Sequence, residues 1–188
     1  VFDLLTEVTG TITPSLLFGQ VLIAGSLALL DDALGLPQAL GIPDVLLGIE
    51  GVIGSGFADS LTGDGGANNL EGALGSDTLT GGLGMDNFVF RSALGANNID
   101  NITDFSVVDD KLLLENAIFT GLGAATAALA STAFFAGAAA HDTDDRIIYN
   151  SATGALLYDA DGTGSALAVQ FAILTTRPAI TNADIAVL

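Results

Sequence analysis

The chain contains no cysteine among its 188 residues. A disulfide therefore cannot hold the fold, and no thiolate is available to bind zinc. Histidine is nearly absent as well, since His141 is the only one. The sequence consequently lacks an HExxH zinc-protease motif, and His141, beside Asp142 in a polar stretch, is expected to be solvated and without a catalytic role.

Basic residues are also scarce. Four of them stand against 22 acids, which gives a formal net charge of −18. Such a balance rules out a sequence-independent nucleic-acid binder and disfavours anionic membrane surfaces as partners. Crowded carboxylates repel one another in a compact chain, so divalent cations would relieve that repulsion and link folding to metal binding.

Other catalytic patterns are missing too. The serines form no GxSxG elbow, and the stretch GLGAAT at 121–126 lacks the third glycine of a dinucleotide fingerprint. Paired carboxylates are plentiful, but their clusters lie in glycine-rich loops, which suit a hard cation better than an acid of raised pKa. We therefore expect a non-catalytic protein.

The first fifty residues are apolar. Residues 16–30 contain no charge, but the run is shorter than the roughly 20 residues that a helix needs to span a bilayer. This favours a buried helix or an apolar packing face, with a membrane-inserting segment or a pair of strands as alternatives. Residues 1–50 are thus expected to form a segment for packing or assembly, and membrane insertion is not favoured.

A nine-residue pattern repeats four times between residues 54 and 89, reading GSGFADSLT, GDGGANNLE, GALGSDTLT and GGLGMDNFV. Each unit has Gly first, Asp or Asn sixth and an apolar residue eighth, which is the form of the nonapeptide calcium repeat. Two units make one coil of a parallel β-roll, here predicted over residues 51–90. The eighth-position side chains should stack inside it, because a short strand shows one face to the interior; they are Leu61, Leu70, Leu79 and Phe88.

The remaining sequence favours more strands. The pieces FVF, ITDF and DKLLL indicate a cap to the roll over residues 91–120, and RIIYNSATGALLYD predicts a hairpin around residues 150–154. Alanine content favours a helix near residues 121–140. The predicted fold is therefore mainly β: a short parallel β-roll with calcium-binding turns, a C-terminal β region over 121–188, and some helix near 121–140 and in the N-terminal segment.

Residues 49–188 resemble the repeats-in-toxin (RTX) proteins that bacteria export by type I secretion, including the C-terminal domain of serralysin-type proteases. The resemblance rests on the four nonapeptides, on the passage FVF…DNITDF…DDKLLL, and on the terminal DIAVL. It implies Ca²⁺ as the bound cofactor, the type I secretion machinery as a partner, and a location outside the bacterial cell or at its surface. The tail would be either a secretion signal or a last strand.

The same resemblance implies a ligand set in which each ion lies between two stacked turns. Unit one would face unit three and unit two would face unit four, which pairs Asp59 with Asp77 and Asn68 with Asp86. Asn68 replaces the family's Asp and removes a charge, so the second site should be weaker unless Asp64 contributes. Backbone carbonyls would complete the oxygen shell, from Gly54, Gly56, Gly63, Gly65, Gly72 and Gly81.

Acidic residues after the repeats give a further candidate site. Asp100, Asp104 and Asp110 match the family's post-repeat segment, where similar residues bind another ion; capping or surface roles are the alternatives. Leu113 stands where the family usually has Asp in the final strand, which weakens this part of the resemblance.

Residues 159–164, DADGTG, look like the first half of an EF-hand loop. Asp159, Asp161 and Thr163 would supply oxygen at loop positions one, three and five. Position twelve is Gln170 instead of Glu, and strands are expected on both sides. A plain Asx-type turn is therefore the favoured alternative to calcium binding.

Two functions fit the sequence. The first is a secreted, calcium-folded structural or surface-assembly subunit of an S-layer, matrix or filament, which self-associates through the apolar residues 1–48. The alternative is the C-terminal export and folding module of a larger secreted hydrolase such as a metalloprotease.

Overall fold

The computed structural model describes residues 27–28, 44–45, 50–123, 125 and 127–188. Over these residues the chain is mainly β, with fifteen strands arranged in two sheets. The helix predicted within residues 1–50 lies outside the described residues, apart from residues 27–28 and 44–45, which are short strands.

The first sheet has seven strands, and all of its internal pairings but one are parallel. In spatial order its strands are β1 (Leu27–Ala28), β3 (Gly51–Ile53), β5 (Asn69–Glu71), β7 (Asn87–Phe90), β9 (Lys111–Leu114), β15 (Ile185–Val187) and β10 (Ala127–Ala128).

The second sheet has eight strands and includes an antiparallel meander of three strands. In spatial order its strands are β11 (Phe134–Ala136), β12 (Ile147–Asn150), β13 (Ala155–Tyr158), β14 (Val169–Leu174), β8 (Asp100–Ile102), β6 (Thr78–Thr80), β4 (Ser60–Thr62) and β2 (Asp44–Val45).

Consecutive strands from β1 to β9 alternate between the two sheets. Each strand from β1 to β7 pairs in parallel with the strand two places later, so that Leu61 lies opposite Leu79 and Leu70 opposite Phe88. Two nine-residue units therefore advance the chain by one strand in each sheet. The short strands leave a six-residue turn at each crossing in the repeats, where the glycines and acids are concentrated.

The eighth-position side chains fill the space between the sheets. Leu61, Leu70, Leu79 and Phe88 are at most 1% exposed, which confirms the predicted inward stacking. Burial of one such side chain contributes about 2 kcal/mol. The column continues through Ile102 and Leu112, because β8 and β9 extend the same sheets in parallel.

The C-terminal region closes this core with aromatic side chains. Phe171 on β14 meets Phe90 and Phe119 edge-on, with ring centroids 5.1 and 5.0 Å apart. The hairpin predicted around residues 150–154 is present as β12 and β13, with Asn150 opposite Ala155. Tyr158 at the end of β13 packs against Phe119 and bonds to Thr120, which fastens the hairpin to the core.

The helix predicted near residues 121–140 is wrong. Gly121 and Gly123 have φ of 82° and 108°, which no right-handed helix allows. Further on, residues 127–128 pair with β15, residues 131–133 form one 3₁₀ turn, and β11 pairs in parallel with β12. Sheet pairing thus overrides the weak helical preference of alanine. Over the part of the chain that is described, no helix is long and apolar enough to cross a membrane.

The tail DIAVL forms an internal strand. β15 lies between β9 and β10, and Ile185 and Val187 are at most 1% exposed. A 3₁₀ turn at Asn182–Asp184 leads into it, and Thr181 and Asp184 form a capping box that fixes the start of that turn. The tail is therefore a strand in the folded chain.

Candidate metal centre

The turns between strands collect at two edges of the paired sheets. The first edge carries residues 54–59, 72–77 and 91–99, which cross from the first sheet to the second. The second edge carries residues 63–68, 81–86 and 103–110, which cross back. The sixth residue of every repeat unit ends a turn, so the repeat spacing places an Asp or Asn at corresponding points of stacked turns.

A column of carboxylates follows the first edge. The backbone N–H of Asp59 donates to Asp77 Oδ1 at 2.8 Å, and the N–H of Asp77 donates to Asp100 Oδ1 at 3.1 Å. Asp59 Oδ2 in turn accepts from the Ser55 N–H at 2.6 Å. The three acids are 5%, 0% and 4% exposed, so the structure brings the predicted pair Asp59 and Asp77 together and adds Asp100 to it.

The second edge repeats this arrangement. The N–H of Asn68 donates to Asp86 Oδ1 at 2.9 Å, and the N–H of Asp86 donates to Asp110 Oδ1 at 3.0 Å. Asn68 Oδ1 accepts from the Asp64 N–H at 3.0 Å. The predicted pair Asn68 and Asp86 is therefore also adjacent, with Asp110 as its third member.

Asp104 belongs to the second edge as well. Its two carboxylate oxygens accept from the N–H groups of Gly81 and Gly82 at 2.9 and 2.8 Å. The three post-repeat acids are thus divided: Asp100 joins the first edge, while Asp104 and Asp110 join the second. They do not form one common site.

The first glycine of each unit makes room for the acid at position six. A Cβ at Gly72 would collide with the Asp77 carboxylate, and a Cβ at Gly81 with that of Asp86. At Gly54 and Gly63 a Cβ would also meet the carbonyl oxygen of the next coil, from Gly72 and Gly81 respectively. Carbonyl and carboxylate oxygens therefore converge beside these glycines. Gly56 and Gly65 lie in open positions where an added Cβ would touch nothing.

Two carboxylate oxygens in this region have no hydrogen-bond partner among the described residues. They are Asp77 Oδ2 and Asp86 Oδ2, on side chains that are 0% and 1% exposed. A buried polar atom without a partner costs about 1–3 kcal/mol, and more when it is charged. Each oxygen faces the first glycine of its own unit, so the same arrangement recurs on both edges.

Two carboxyl groups at the first edge have raised pKa values. Burial, together with the carboxylates of Asp100 and Asp59, raises the pKa of Asp77 to about 8, although the Asp59 N–H opposes the rise. Burial likewise raises the pKa of Asp100 to about 6. Without a cation, Asp77 is therefore mainly protonated at neutral pH, whereas Asp100 is mainly protonated only below about pH 6.

The second edge carries more acids than its repeat sequence alone suggests. Burial raises the pKa of Asp86, and the charges of Asp110, Asp104 and Asp64 raise it further. Asp64 therefore adds negative charge near Asp86, although its own Oδ1 accepts from the Gly66 N–H at 2.7 Å. This added charge offsets the neutral amide of Asn68.

The EF-hand-like stretch forms a closed turn. Asp159 Oδ1 accepts from the N–H groups of Asp161 and Gly162 at 3.2 and 2.9 Å, as in an Asx turn. Asp161 Oδ2 accepts from the Ala166 N–H at 3.1 Å, and the Thr163 N–H donates to the Asp142 carbonyl at 3.2 Å. The flanking elements are strands, β13 before the stretch and β14 after it.

Two residues that the sequence pattern did not indicate make contacts of interest, namely Asn98 at the first edge and Asp145 beside His141. Asn98 Oδ1 accepts from the Gly75 N–H at 3.0 Å and so joins the loop at 91–99 to the repeat turns of the first edge. Its neighbours in the sequence, Ala96 and Asn97, gave no spacing signal, because this crossing is longer than a repeat turn. The second residue that the sequence pattern did not indicate is Asp145, whose side chain is in contact with His141.

Comparison with models of known protein families gives no match, and comparison with curated protein sequences gives no significant relative. The geometry of the two edges is therefore the basis for a functional assignment. Both edges place buried carboxylate oxygens, glycine carbonyls and a local excess of negative charge within one stack of turns.

Proposed function

We propose that residues 51–114 form a parallel β-roll of the RTX type, which binds Ca²⁺ between stacked turns at both edges and folds when calcium binds. The observation that carries this proposal is the pair of buried oxygens Asp77 Oδ2 and Asp86 Oδ2, for which the described part of the chain offers no hydrogen-bond partner. A cation beside each would supply the missing partner and return both carboxyls to their charged forms.

Calcium suits these edges better than other common metals. The available ligand atoms are carboxylate, amide and carbonyl oxygens, which hard cations prefer. Ca²⁺ accepts six to eight such ligands in a flexible geometry, whereas Mg²⁺ demands a nearly ideal octahedron and keeps several waters. Irregular loops rich in glycine satisfy the first requirement more readily than the second.

The binding energy is large enough to control folding. One site adds about 2.7 kcal/mol when free calcium is a hundredfold above its dissociation constant. Two such sites are comparable with the net stability of an ordinary domain, about 5–15 kcal/mol. The chain would therefore stay unfolded where calcium is scarce and fold where it is near millimolar.

This calcium dependence favours a secreted protein. A chain that is open in the cytoplasm can be exported by the type I machinery, and extracellular calcium then fills the sites. The proposed location is outside the bacterial cell or at its surface, and the proposed role is non-catalytic.

Circular dichroism during a calcium titration, followed by chelator, tests the proposal. We expect a reversible gain of β signal, which Asp77→Asn shifts to at least tenfold higher calcium because the buried carboxylate is lost. Asp109→Asn is the matched control, since Asp109 is exposed in the turn that ends at Asp110. Identical spectra with and without chelator, together with an unchanged Asp77→Asn midpoint, would falsify calcium-driven folding.

A role as a structural or surface-assembly subunit has separate support. The turns of the second edge expose Leu83, Met85 and Val108, whose side chains are 77%, 65% and 82% exposed. Exposed apolar groups on adjacent turns favour contact with another molecule. The alternative, a folding and export module of a larger secreted hydrolase, predicts a monomer. Electron microscopy of purified chain in calcium separates the two, because only the first predicts ordered assemblies.

A further inference from the structure

The loop before β12 holds the single histidine between two carboxylates. His141 Nδ1 lies 2.8 Å from Asp145 Oδ2, and His141 Nε2 lies 3.3 Å from Asp142 Oδ2. The ring also stacks on Phe135, with ring centroids 4.4 Å apart and planes 19° from parallel. His141 is exposed to solvent, as expected, with 59% of its side chain accessible, but its ring is also held by these contacts.

Asp145 fixes the orientation of this ring. Its side chain is only 2% exposed, and Oδ2 also accepts from the N–H groups of His141 and Asp142 at 2.7 and 3.1 Å. With Nδ1–H donating to this oxygen at 2.8 Å, Nε2 is left as the ligand atom.

Asp142 is oriented independently. Its Oδ1 accepts from the N–H groups of Asp144 and Asp145 at 2.9 and 3.2 Å, so that Oδ2 is turned towards Nε2. Arg146 Nη1 donates to the carbonyls of Thr143 and Asp145 at 2.7 and 3.0 Å. These two hydrogen bonds stabilise the loop and do not involve His141 Nε2. With Nδ1 protonated, Nε2 and Oδ2 are two acceptors facing each other, and only a cation or a second proton relieves that contact.

We propose that His141 Nε2 and Asp142 Oδ2 bind a divalent transition metal of the zinc type, with Asp145 as the positioning residue. Two ligands at about 2.0–2.1 Å from one zinc ion lie roughly 3.3 Å apart at a tetrahedral angle, and the observed separation is 3.3 Å. A metal-binding histidine ordinarily donates its other ring N–H to a carboxylate, as Nδ1 does here to Asp145. Water completes the shell on the exposed side.

This site differs in chemistry from the two edges of the roll. An imidazole nitrogen selects borderline metals, whereas the edges offer oxygen alone. The two sites can therefore be filled separately, and zinc binding at His141 does not depend on whether calcium drives folding.

Isothermal titration of the full chain with Zn²⁺, in saturating calcium, tests the site. We expect one zinc ion per chain, at least tenfold weaker binding in His141→Gln and Asp142→Asn, and roughly tenfold to hundredfold weaker binding in Asp145→Asn. Asp144→Asn is the control, because it removes one charge from the same loop at an exposed position. Equal affinity in wild type and His141→Gln overturns the proposal.

Nitrogen-15 NMR of the wild-type chain gives a readout that needs no variant. Because the chain has one histidine, its two ring nitrogens are identified without ambiguity. Zinc should shift the Nε2 resonance and leave Nδ1 protonated, and in Asp145→Asn the preference for the Nδ1–H tautomer should decrease. Ring resonances that do not respond to Zn²⁺ contradict the site, even where a variant fails to fold.

Discussion

At the scale of single residues, the two edges differ in how their charge is distributed. The first edge has three buried acids in one column, Asp59, Asp77 and Asp100. The second has a neutral amide at Asn68, but further acids outside the column lie close enough to raise the pKa of Asp86. The repeat sequence shows the amide and Asp64 but not Asp104, because Asp104 reaches the second edge through a turn beyond the repeats.

Asn68→Asp tests the consequence of this amide. The new carboxylate would lie beside Asp86, so we expect the calcium concentration at the folding midpoint to fall by roughly tenfold, about 1.4 kcal/mol. In chelator the same substitution should destabilise any residual fold, because it adds a like charge. A calcium titration followed by circular dichroism measures both effects, and a midpoint that rises or stays constant contradicts the model.

The raised pKa of Asp77 predicts a pH dependence of opposite sign with and without calcium. The pKa is about 8 in the folded chain and 3.8 ordinarily, so between these values the folded state binds more protons than the unfolded state. In chelator, stability is therefore greatest in acid and falls as pH rises towards about 8. In calcium it should rise over the same range, because the ion displaces the proton. The folded fraction from circular dichroism at pH 5 and 8, in chelator and across a calcium titration, decides this, and Asp77→Asn should flatten both trends.

At the scale of elements, the repeat spacing predicted the register and the core correctly. Leu61, Leu70, Leu79 and Phe88 occupy one position in the repeat, so a single periodic rule places all four inside. The helix near residues 121–140 failed because alanine has a preference for helix but no side chain that selects a partner. The contact between His141 and Asp145 could not be foreseen from spacing, since it depends on the loop that β11 and β12 hold in place.

Gly72 offers the sharpest test of how a turn element is built. A Cβ there collides with the carboxylate of Asp77, so Gly72→Ala should destabilise the calcium-bound fold by about 2 kcal/mol or more. Gly56→Ala is the matched control on the same edge, because a Cβ at Gly56 meets no atom within 4 Å. Denaturant titration in saturating calcium compares the two. Equal losses at both glycines would show that chain flexibility, and not space for the carboxylate, explains them.

At the scale of the whole molecule, the repeats and the C-terminal region share one hydrophobic core. The column from Val52 to Leu112 is continuous with Phe171, Ile185 and Val187 in a single cluster. The four repeat units therefore form their strands on sheets that residues 91–188 complete, which explains how so few units form an ordered stack.

Ile185→Ala tests this dependence. Ile185 is 0% exposed on a strand that contacts β9 on one side and β10 on the other. We expect a loss of about 2–5 kcal/mol in saturating calcium and a higher calcium midpoint for the repeats. The control is Leu167→Ala, where the side chain is 89% exposed and the change should lie within about 0.5 kcal/mol. A calcium midpoint unaffected by Ile185→Ala would mean that the repeats fold independently.

The N–H of each sixth-position residue of the repeats donates to a carboxylate of the following coil. The N–H of Asp59 donates to Asp77, and the N–H of Asp77 donates to Asp100; the second edge has the same polarity. The buried sixth-position N–H of a coil is therefore satisfied only when its successor is in place. Folding should nucleate at residues 100–114 and propagate towards the N-terminus, so that pulse-labelled hydrogen exchange protects Asp86 before Asn68 and Asp77 before Asp59.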